Sequence, residues 1–377
     1  MASVLLAIRE VRRSLVRFGL LTAAVGVLVF LIVFQQALIS GLITQFIGAI
    51  ENQSAQVLVY NDQARKNLQG SVVTPEIVEA TAAVEGVAQA SPLGVGTFTV
   101  TAAEETDASV FGYVLGGPGA PTTLVDGRLP ERDGEAVVSS STDDVEGFGV
   151  GDEVVVLPGD VTIEIVGVAD NLNLSVAPTL FVSYPTWEDA RLSVNPDATA
   201  VLPSAVAVAV DDGAAPAAVA ARITAEVPGA EALDRQTAAD EAPGVASVTQ
   251  SFGIILALTF LVVVLVTGFF FLILTVQKRP SLTLLRALGA PAGGLVRALL
   301  VQVLIVVGGG LVIGAGLAVG LLAASGGGGL GASVDPASLL VVVVLVLGLS
   351  AVASIASIRR VLRIQPVEAT VSSGGVR

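Results

Sequence analysis

Apolar residues run through this chain in two different ways. Residues 18–50, 252–276, 298–334 and 337–358 contain no Asp, Glu, Lys or Arg, whereas between 51 and 250 apolar positions recur with the short periods of strands and amphipathic helices. A helix needs about 20 apolar residues to cross ~30 Å of hydrocarbon. Each uninterrupted run meets that length, so the pattern predicts four membrane-spanning helices around one large insert.

The first run is longer than a crossing needs. Its 33 residues would reach about 50 Å at ~1.5 Å per residue. Its outer third sets Gln35, Gln36, Ser40, Thr44 and Gln45 against Leu38, Leu42, Ile43, Phe46, Ile47 and Ile50, an apolar set with the spacing of one helical face. The helix is therefore expected to leave the bilayer as an amphipathic stalk and to pack on another helix, with tilt absorbing part of the excess. In the third run, Gly310, Gly314, Gly316 and Gly320 give small-xxx-small spacings that let helices approach closely. The third and fourth runs read as a packing pair, joined by a glycine-rich loop at 325–336 in which Asp335-Pro336 starts the last helix.

Strand-like runs in the insert fall at 56–60, 94–101, 136–139, 153–157, 162–168 and 205–210. Helix-like runs fall at 75–84, 185–192 and 214–227, the first opened by Thr74 as N-cap and Pro75 at the first helical position. Breakers at 116–121, Asp126-Gly127 and Asp133-Gly134 separate strands. The expected fold is an α-helical membrane protein with four transmembrane helices plus an inserted mixed α+β extracytoplasmic domain, 51–247, in which 102–178 forms an inserted lobe.

Charge orients this plan. The stretch 51–250 holds 30 of the 33 acidic residues and 7 of the 19 basic ones, an excess of 23 negative charges. The other bases are Arg9, Arg12, Arg13 and Arg17, then Lys278, Arg279, Arg286 and Arg297, then Arg359, Arg360, Arg363 and Arg377. Such clusters mark cytoplasmic flanks. The chain is thus expected in a membrane with both termini cytoplasmic: 1–17 an amphipathic helix on the inner leaflet or a plain basic flank, 18–50 the first span and stalk, 248–277 the second span and stalk, 278–294 a short cytoplasmic helix, 295–324 the third span, 337–358 the fourth, and 359–377 a tail. The first run is too long for a signal-peptide core, so it is expected to stay uncleaved.

Composition narrows the chemistry. There is no Cys and no His, and the single Met is Met1, which removes disulfides, thiol catalysis and the commonest metal and haem ligands. Asp143-Asp144 and Asp211-Asp212 sit in turn-like sequence and read as surface caps. No basic, aromatic patch suggests nucleic acid. No Gly-x-x-x-x-Gly-Lys-Ser/Thr phosphate loop occurs, so no metal, no cofactor and no catalytic residue is expected in this chain.

The segment from Gln277 through Lys278, Arg279, Pro280 and Ser281 to Leu285-Arg286-Ala287-Leu288-Gly289-Ala290 is too short and too basic to cross the membrane; Pro280 would start a helix and Gly289 would end it. This element, with the order of one span, a large external domain and three spans, resembles the MacB/FtsX/LolC-type permease subunits of ABC transporters. Asp126-Gly127-Arg128, Glu135-Ala136-Val137-Val138, Gly149-Val150-Gly151-Asp152-Glu153-Val154, Ile165-Val166-Gly167-Val168 and Arg363-Ile364-Gln365-Pro366-Val367-Glu368-Ala369 are similar to other elements of that family. The chain has Pro280-Ser281 where family members commonly carry an acidic residue.

The resemblance implies that 278–294 is a coupling helix docking on a separate ABC ATPase, with Arg279, Ser281, Leu282, Leu284, Leu285, Arg286, Leu288 and Gly289 as contacts. It implies a homodimer with two ATPase copies that bind ATP and Mg, the stalks of the first and second spans forming the central element. ATP hydrolysis would drive export or extrusion of a hydrophobic or amphipathic substrate. Gln35, Gln36, Leu42, Gln45 and Phe46 would line the substrate, or the same face would only pack dimer helices. Two alternatives are an FtsX-like mechanotransmitter regulating an envelope protein or cell-wall hydrolase, and a haem efflux permease ligating through oxygen donors such as Tyr60 or Glu51. Further expected partners are membrane lipids and an extracytoplasmic lipoprotein or hydrolase.

Overall fold

A computed structural model describes residues 15–102, 104–140, 148–159, 161–198, 200–277, 292–324 and 336–362. Among the described residues the first element is α1 (Leu15–Glu51), followed by ten strands and four short helices, and the last three are α6 (Val245–Gln277), α7 (Ala292–Ala324) and α8 (Pro336–Leu362). It divides into a unit of membrane helices and an α/β unit, Ser40–Gln250, which includes the last three turns of α1.

In the α/β unit the strands are β1 (Val57–Asn61), β2 (Val87–Thr101), β3 (Glu105–Tyr113), β4 (Leu124–Gly127), β5 (Glu135–Ser139), β6 (Glu153–Val156), β7 (Val161–Ala169), β8 (Thr179–Ser183), β9 (Ala205–Val210) and β10 (Ala230–Asp234). The helices are α2 (Pro75–Ala82), α3 (Tyr184–Val194), α4 (Pro216–Glu226) and α5 (Arg235–Asp240). The pairings β2·β3, β3·β8, β8·β5, β5·β7, β7·β6 and β6·β2 return to their starting strand, so six strands close into a barrel. The pairings β10·β1, β1·β9 and β9·β2 make an open antiparallel sheet. The long strand β2 belongs to both, giving its first half to the sheet and its second to the barrel.

Strand periodicity builds the cores. In β2, β3, β5, β6 and β8, alternate residues turn inward: Phe98 and Val100, Ala108 and Val110, Ala136 and Val138, Val154 and Val156, Leu180 and Val182 fill the barrel. The intervening Leu93, Val95, Phe111, Tyr113, Val137 and Phe181 face outward into a second core with Leu58 and Tyr60 of the sheet. On the other face of the sheet, Val57, Val59, Val206 and Val208 pack under Ile77 of α2 and Val219 and Ile223 of α4. Trp187 of α3 is 1% exposed. It lies on Gly94 and Gly112, where any Cβ would overlap the indole.

The segment 102–178, expected as an inserted lobe, supplies β3 to β7, while β8 and the end of β2 complete the barrel. The structure adds β3, β4, β8, β10 and α5 to the expected elements and extends β2 back to Val87. Pro92 sits inside that extension because only β9 pairs there, the β3 pairing beginning at Leu93, and an edge tolerates a missing N–H. Thr74 is the N-cap of α2 by position, but its side chain makes no cap bond; Pro75 at the first helical position leaves one fewer amide to cap.

Among the described residues, three helices are long and apolar enough to cross a bilayer, over Phe18–Glu51, Val245–Phe270 and Val301–Ala324; the described apolar stretch of α8, Pro336–Val352, is shorter. Val25, Val29 and Ile32 of α1 share a core with Val263 of α6, Val303, Val307 and Leu311 of α7 and Val346 of α8. The glycine spacing, expected to let a helix approach closely, finds its partner in α1. A Cβ on Gly310 would stand 2.6 Å from Val25 Cγ1, and one on Gly314 would overlap the Gly26 carbonyl and stand 2.8 Å from Phe30 N, so these glycines admit α1. Gly316 and Gly320 have nothing within 4 Å. The start of α8 at Pro336 is described, but Asp335 and the 325–335 loop lie outside the described residues.

Candidate functional site

The sequence brings together its most unusual geometry at the foot of α1. The loop between β7 and β8 lies along the last turns of this helix and bonds to it through the backbone. Ala49 N donates to Asn173 O (3.0 Å), Ser175 N to Phe46 O (3.1 Å) and Val176 N to Gln45 O (2.9 Å). Side chains add to these contacts. Asn52 Nδ2 donates to Asn171 O (2.9 Å). Asn173 Nδ2 donates to Gln45 Oε1 (2.7 Å), while Asn173 Oδ1 accepts from Ser139 Oγ on β5. A Cβ on Gly48 would overlap the Asn171 carbonyl, so glycine is required for the approach.

Gln45, Asn173 and Ser139 are all buried. Burying amides and hydroxyls is costly unless they are paired, and this chain of contacts pairs them. Of the stalk face, Ile47 and Ile50 enter a core with Leu172 and Leu174 of the loop, Phe111 and Phe181 of the barrel, Ala238 and Ala239 of α5 and Val245 of α6.

Beside this joint is a cavity of about 180 Å3, lined by Phe46, Ile47 and Ile50 of α1, Leu174 and Ser175 of the loop, and Leu68. Lys66, also on its wall, bridges Glu231 (3.5 Å) and Glu241. The hydrogen bond to Glu241 favours the charged ammonium and raises the Lys66 pKa. Its wall is mixed, with Lys66, Asn67 and Gln69 beside Phe46, Ile47, Ile50, Leu68 and Leu174, which suits a ligand with both an apolar and a polar part.

A second polar cluster explains one of the sequence motifs. Arg128 holds Glu135 through two bonds, Nη1 to Oε2 at 2.7 Å and Nη2 to Oε1 at 2.6 Å. Arg132 Nη2 adds a contact at 2.9 Å, and the amides of Glu131 and Arg132 donate to Oε2. The Arg128 bond, first among these, holds the carboxyl far below the usual carboxylate range. Gly127 precedes Arg128 with φ +70°, and a Cβ there would overlap Val166 O. The Asp-Gly-Arg element is thus an anchor for the barrel rim.

Of the other expected residues, Gln35 donates Nε2 to Phe252 O (3.2 Å), Gln36 has its buried Oε1 without a hydrogen-bond partner among the described residues, and Leu42 is half-buried. Gln45 and Phe46 come together at the joint and the cavity. Tyr60 is fully buried, and burial pushes its phenol pKa up. Arg279, Ser281, Leu282, Leu284, Leu285, Arg286, Leu288 and Gly289 lie outside the described residues. Sequence reasoning missed Gly48, Asn171, Asn173, Ser139 and Lys66. The only available signal was the pair of asparagines in Asn171-Leu172-Asn173-Leu174, a turn-prone type.

A family model described as the MacB-like periplasmic core domain matches residues 18–226, more than half of the chain, and one described as the FtsX-like permease C-terminal region matches 253–366. The chain belongs to the MacB/FtsX-type ABC transporter permeases. Two uncharacterized ABC transporter permeases from strains of Mycobacterium tuberculosis are each 24% identical over 261 residues, 68% of either chain. Among solved structures, the permease is similar to the extracellular domain of the noncanonical ABC-type transporter YknZ from Gram-positive bacteria, at 16% identity, covering 48% of this chain and all of that one with a TM-score of 0.33. It is also similar to the periplasmic region of MacB from Actinobacillus actinomycetemcomitans, at 12% identity, covering 52% of this chain and 94% of that one with a TM-score of 0.34. Membership implies an ATPase partner and dimeric assembly for the permease. The core-domain match begins inside α1, the helix whose foot is built into the α/β unit.

Proposed function

We propose that this permease couples ATP hydrolysis by a separate ATPase chain to the export of a hydrophobic or amphipathic substrate. In this reading α8 is a fourth span, both termini are cytoplasmic, and two copies of the chain pair with two ATPase copies that bind ATP and Mg. The basic segment 278–294 receives the ATPase, and the acidic α/β unit lies on the outer side of the plasma membrane, following the charge sorting. One observation carries the proposal. A helix long and apolar enough to cross a bilayer ends as a wall of a cavity, with Phe46, Ile47 and Ile50 on it. A substrate with an apolar part and the helix that moves it would therefore share a surface.

The permease purified from its own membrane and reconstituted in nanodiscs tests this. A photoreactive amino acid at Phe46 should crosslink a lipid or an amphipathic drug probe, and such compounds should stimulate ATP hydrolysis by the complex. Leu285→Asp in a correctly inserted chain should abolish ATPase association. Hydrolysis stimulated only by a protein partner, with no crosslink at Phe46, would replace export by regulation of an envelope protein.

A further inference from the structure

Beyond its backbone bonds to the β7–β8 loop, the foot of α1 has two routes into the α/β unit. One is covalent: Asn52 to Gln56 lead straight into β1 of the open sheet. The other is the side-chain relay from Gln45 through Asn173 to Ser139, which ends on β5 of the barrel. The two routes address different halves of the unit. The loop that carries Asn173 is held in a costly conformation: Asn171 (φ 56°), Ser175 (φ 56°) and Val176 (φ 61°) are all left-handed, and none is glycine. A β-branched residue in that region is a strong outlier. Such conformations persist only where the surroundings over-determine them, and they cluster where strain serves function. Here the surroundings are the carbonyls of Gln45 and Phe46, which accept from the loop amides of Val176 and Ser175.

We propose that Asn173 is a positioning residue of the transport cycle: its side chain ties the last turns of α1 to β5, so that the barrel moves with the helix rather than only the sheet that follows it in sequence. The proposal rests on the coupling role argued above. With the relay intact, the last turns of α1, the 171–177 loop and β5 form one rigid piece. Without it, a displacement of those turns reaches β5 only through the backbone bonds to the loop, the sheet and the shared strand β2.

The chain has no cysteine, so labels can be placed singly. Nitroxides on the full chain in nanodiscs, at Ser40→Cys with Glu153→Cys on the barrel, and at Ser40→Cys with Glu226→Cys on the sheet side, should both give narrow distance distributions. Asn173→Ala should broaden the first and leave the second unchanged, with Trp187 emission unchanged as the folding control. Should Asn173→Ala fail to fold, Ser139→Ala breaks the same relay from the barrel side and carries the same expectation. In the complex with its ATPase, either variant should lower substrate-stimulated hydrolysis at least fivefold, with basal hydrolysis and association within twofold. The swap Gln45→Asn with Asn173→Gln should recover part of the loss. An unbroadened barrel distance, or stimulated and basal rates falling together, overturns the role of Asn173. If no ATPase accompanies even the unaltered chain, the coupling reading itself fails, while the label distances still decide whether the joint is rigid.

Discussion

Glycine removes a Cβ to admit a neighbour in both units of this permease, but the neighbour differs. In the α/β unit, Gly94 and Gly112 make room for the indole of Trp187, and the gain is the burial of a large aromatic surface. In the membrane unit, Gly310 and Gly314 make room for the backbone of α1 at Gly26 and Phe30. No hydrophobic force favours that contact over lipid. Its gain is the sum of many dispersion contacts of ~0.1–0.2 kcal/mol each, with weak Cα–H···O bonds at such crossings. The same residue thus serves aromatic burial in one solvent and backbone proximity in the other.

The largest expected effect lies on the aromatic side. In Gly94→Val the first added carbon overlaps the six-membered ring of Trp187, which barrel side chains hold in place. Overpacking of this kind costs about 3 kcal/mol or more. For a domain of this size that lowers Tm by about 10 °C. Trp187 is the only tryptophan, so its emission should move to the red as the indole is expelled. An unchanged emission maximum would show that α3 yields freely and that the glycines are not what seats the ring.

Next comes Gly314→Leu. The overlap is with the Gly26 carbonyl, but two helices in lipid can separate without exposing apolar surface to water. A loss of about 1–3 kcal/mol is expected, read as a lowered unfolding temperature in detergent with the Trp187 signal unaffected. A collapse as large as that of Gly94→Val would mean that the two packings do not differ in kind.

Acid separates the units in another way. Glu135 stays ionised in the fold below its ordinary value of 4.5 because Arg128 holds it. Sign follows from this: below about pH 4.5 the unfolded chain takes up a proton that the folded chain refuses, so the stabilisation is present above that pH and is lost as pH falls toward the depressed native value. Glu135→Gln should cost about 2 kcal/mol at neutral pH, since Arg128 and Arg132 are exposed enough to find water. Unfolding followed by Trp187 should then show a shallower loss of stability below pH 4.5 than in the unaltered chain. Residues 18–50 and 298–334, which contain the crossing of α1 and α7 at Gly26, hold no Asp, Glu, Lys or Arg, so that crossing should not respond.

Sequence made the parts legible in proportion to how local their causes are. An uncharged run declares itself, and so does a strand such as β9, Ala205–Val210. β3 begins with Glu105, Thr106 and Asp107, which hide an inner strand behind polar residues that pair at the barrel end. β8 lies between Pro178 and Pro185 and reads as loop until its neighbours β3 and β5 are known. At the candidate site, Gln45 and Phe46 were visible because they interrupt and edge an apolar face. Asn173 was not, because its partner lies 128 residues away and nothing in a loop asparagine announces a helix. For the glycines, spacing alone marked Gly310 and Gly314 but named no partner, since a motif names an approach and not the helix that approaches.

The smallest expected effect concerns the other two members of that glycine series. Gly316 and Gly320 have open space where a Cβ would be, so Gly316→Ala should change the unfolding temperature of the single chain by an amount equivalent to less than about 0.5 kcal/mol. The added methyl meets nothing, and alanine is the better helix former. This bears on the opening comparison because it asks whether glycine in these helices matters only where a partner backbone stands. Measured in detergent at a concentration where single chains dominate, a neutral result alongside a damaging Gly314→Leu ties the effect to α1. A loss above about 1 kcal/mol at Gly316 would mean that this face is covered in the assembled permease, and a concentration-dependent loss would identify the cover as a second copy.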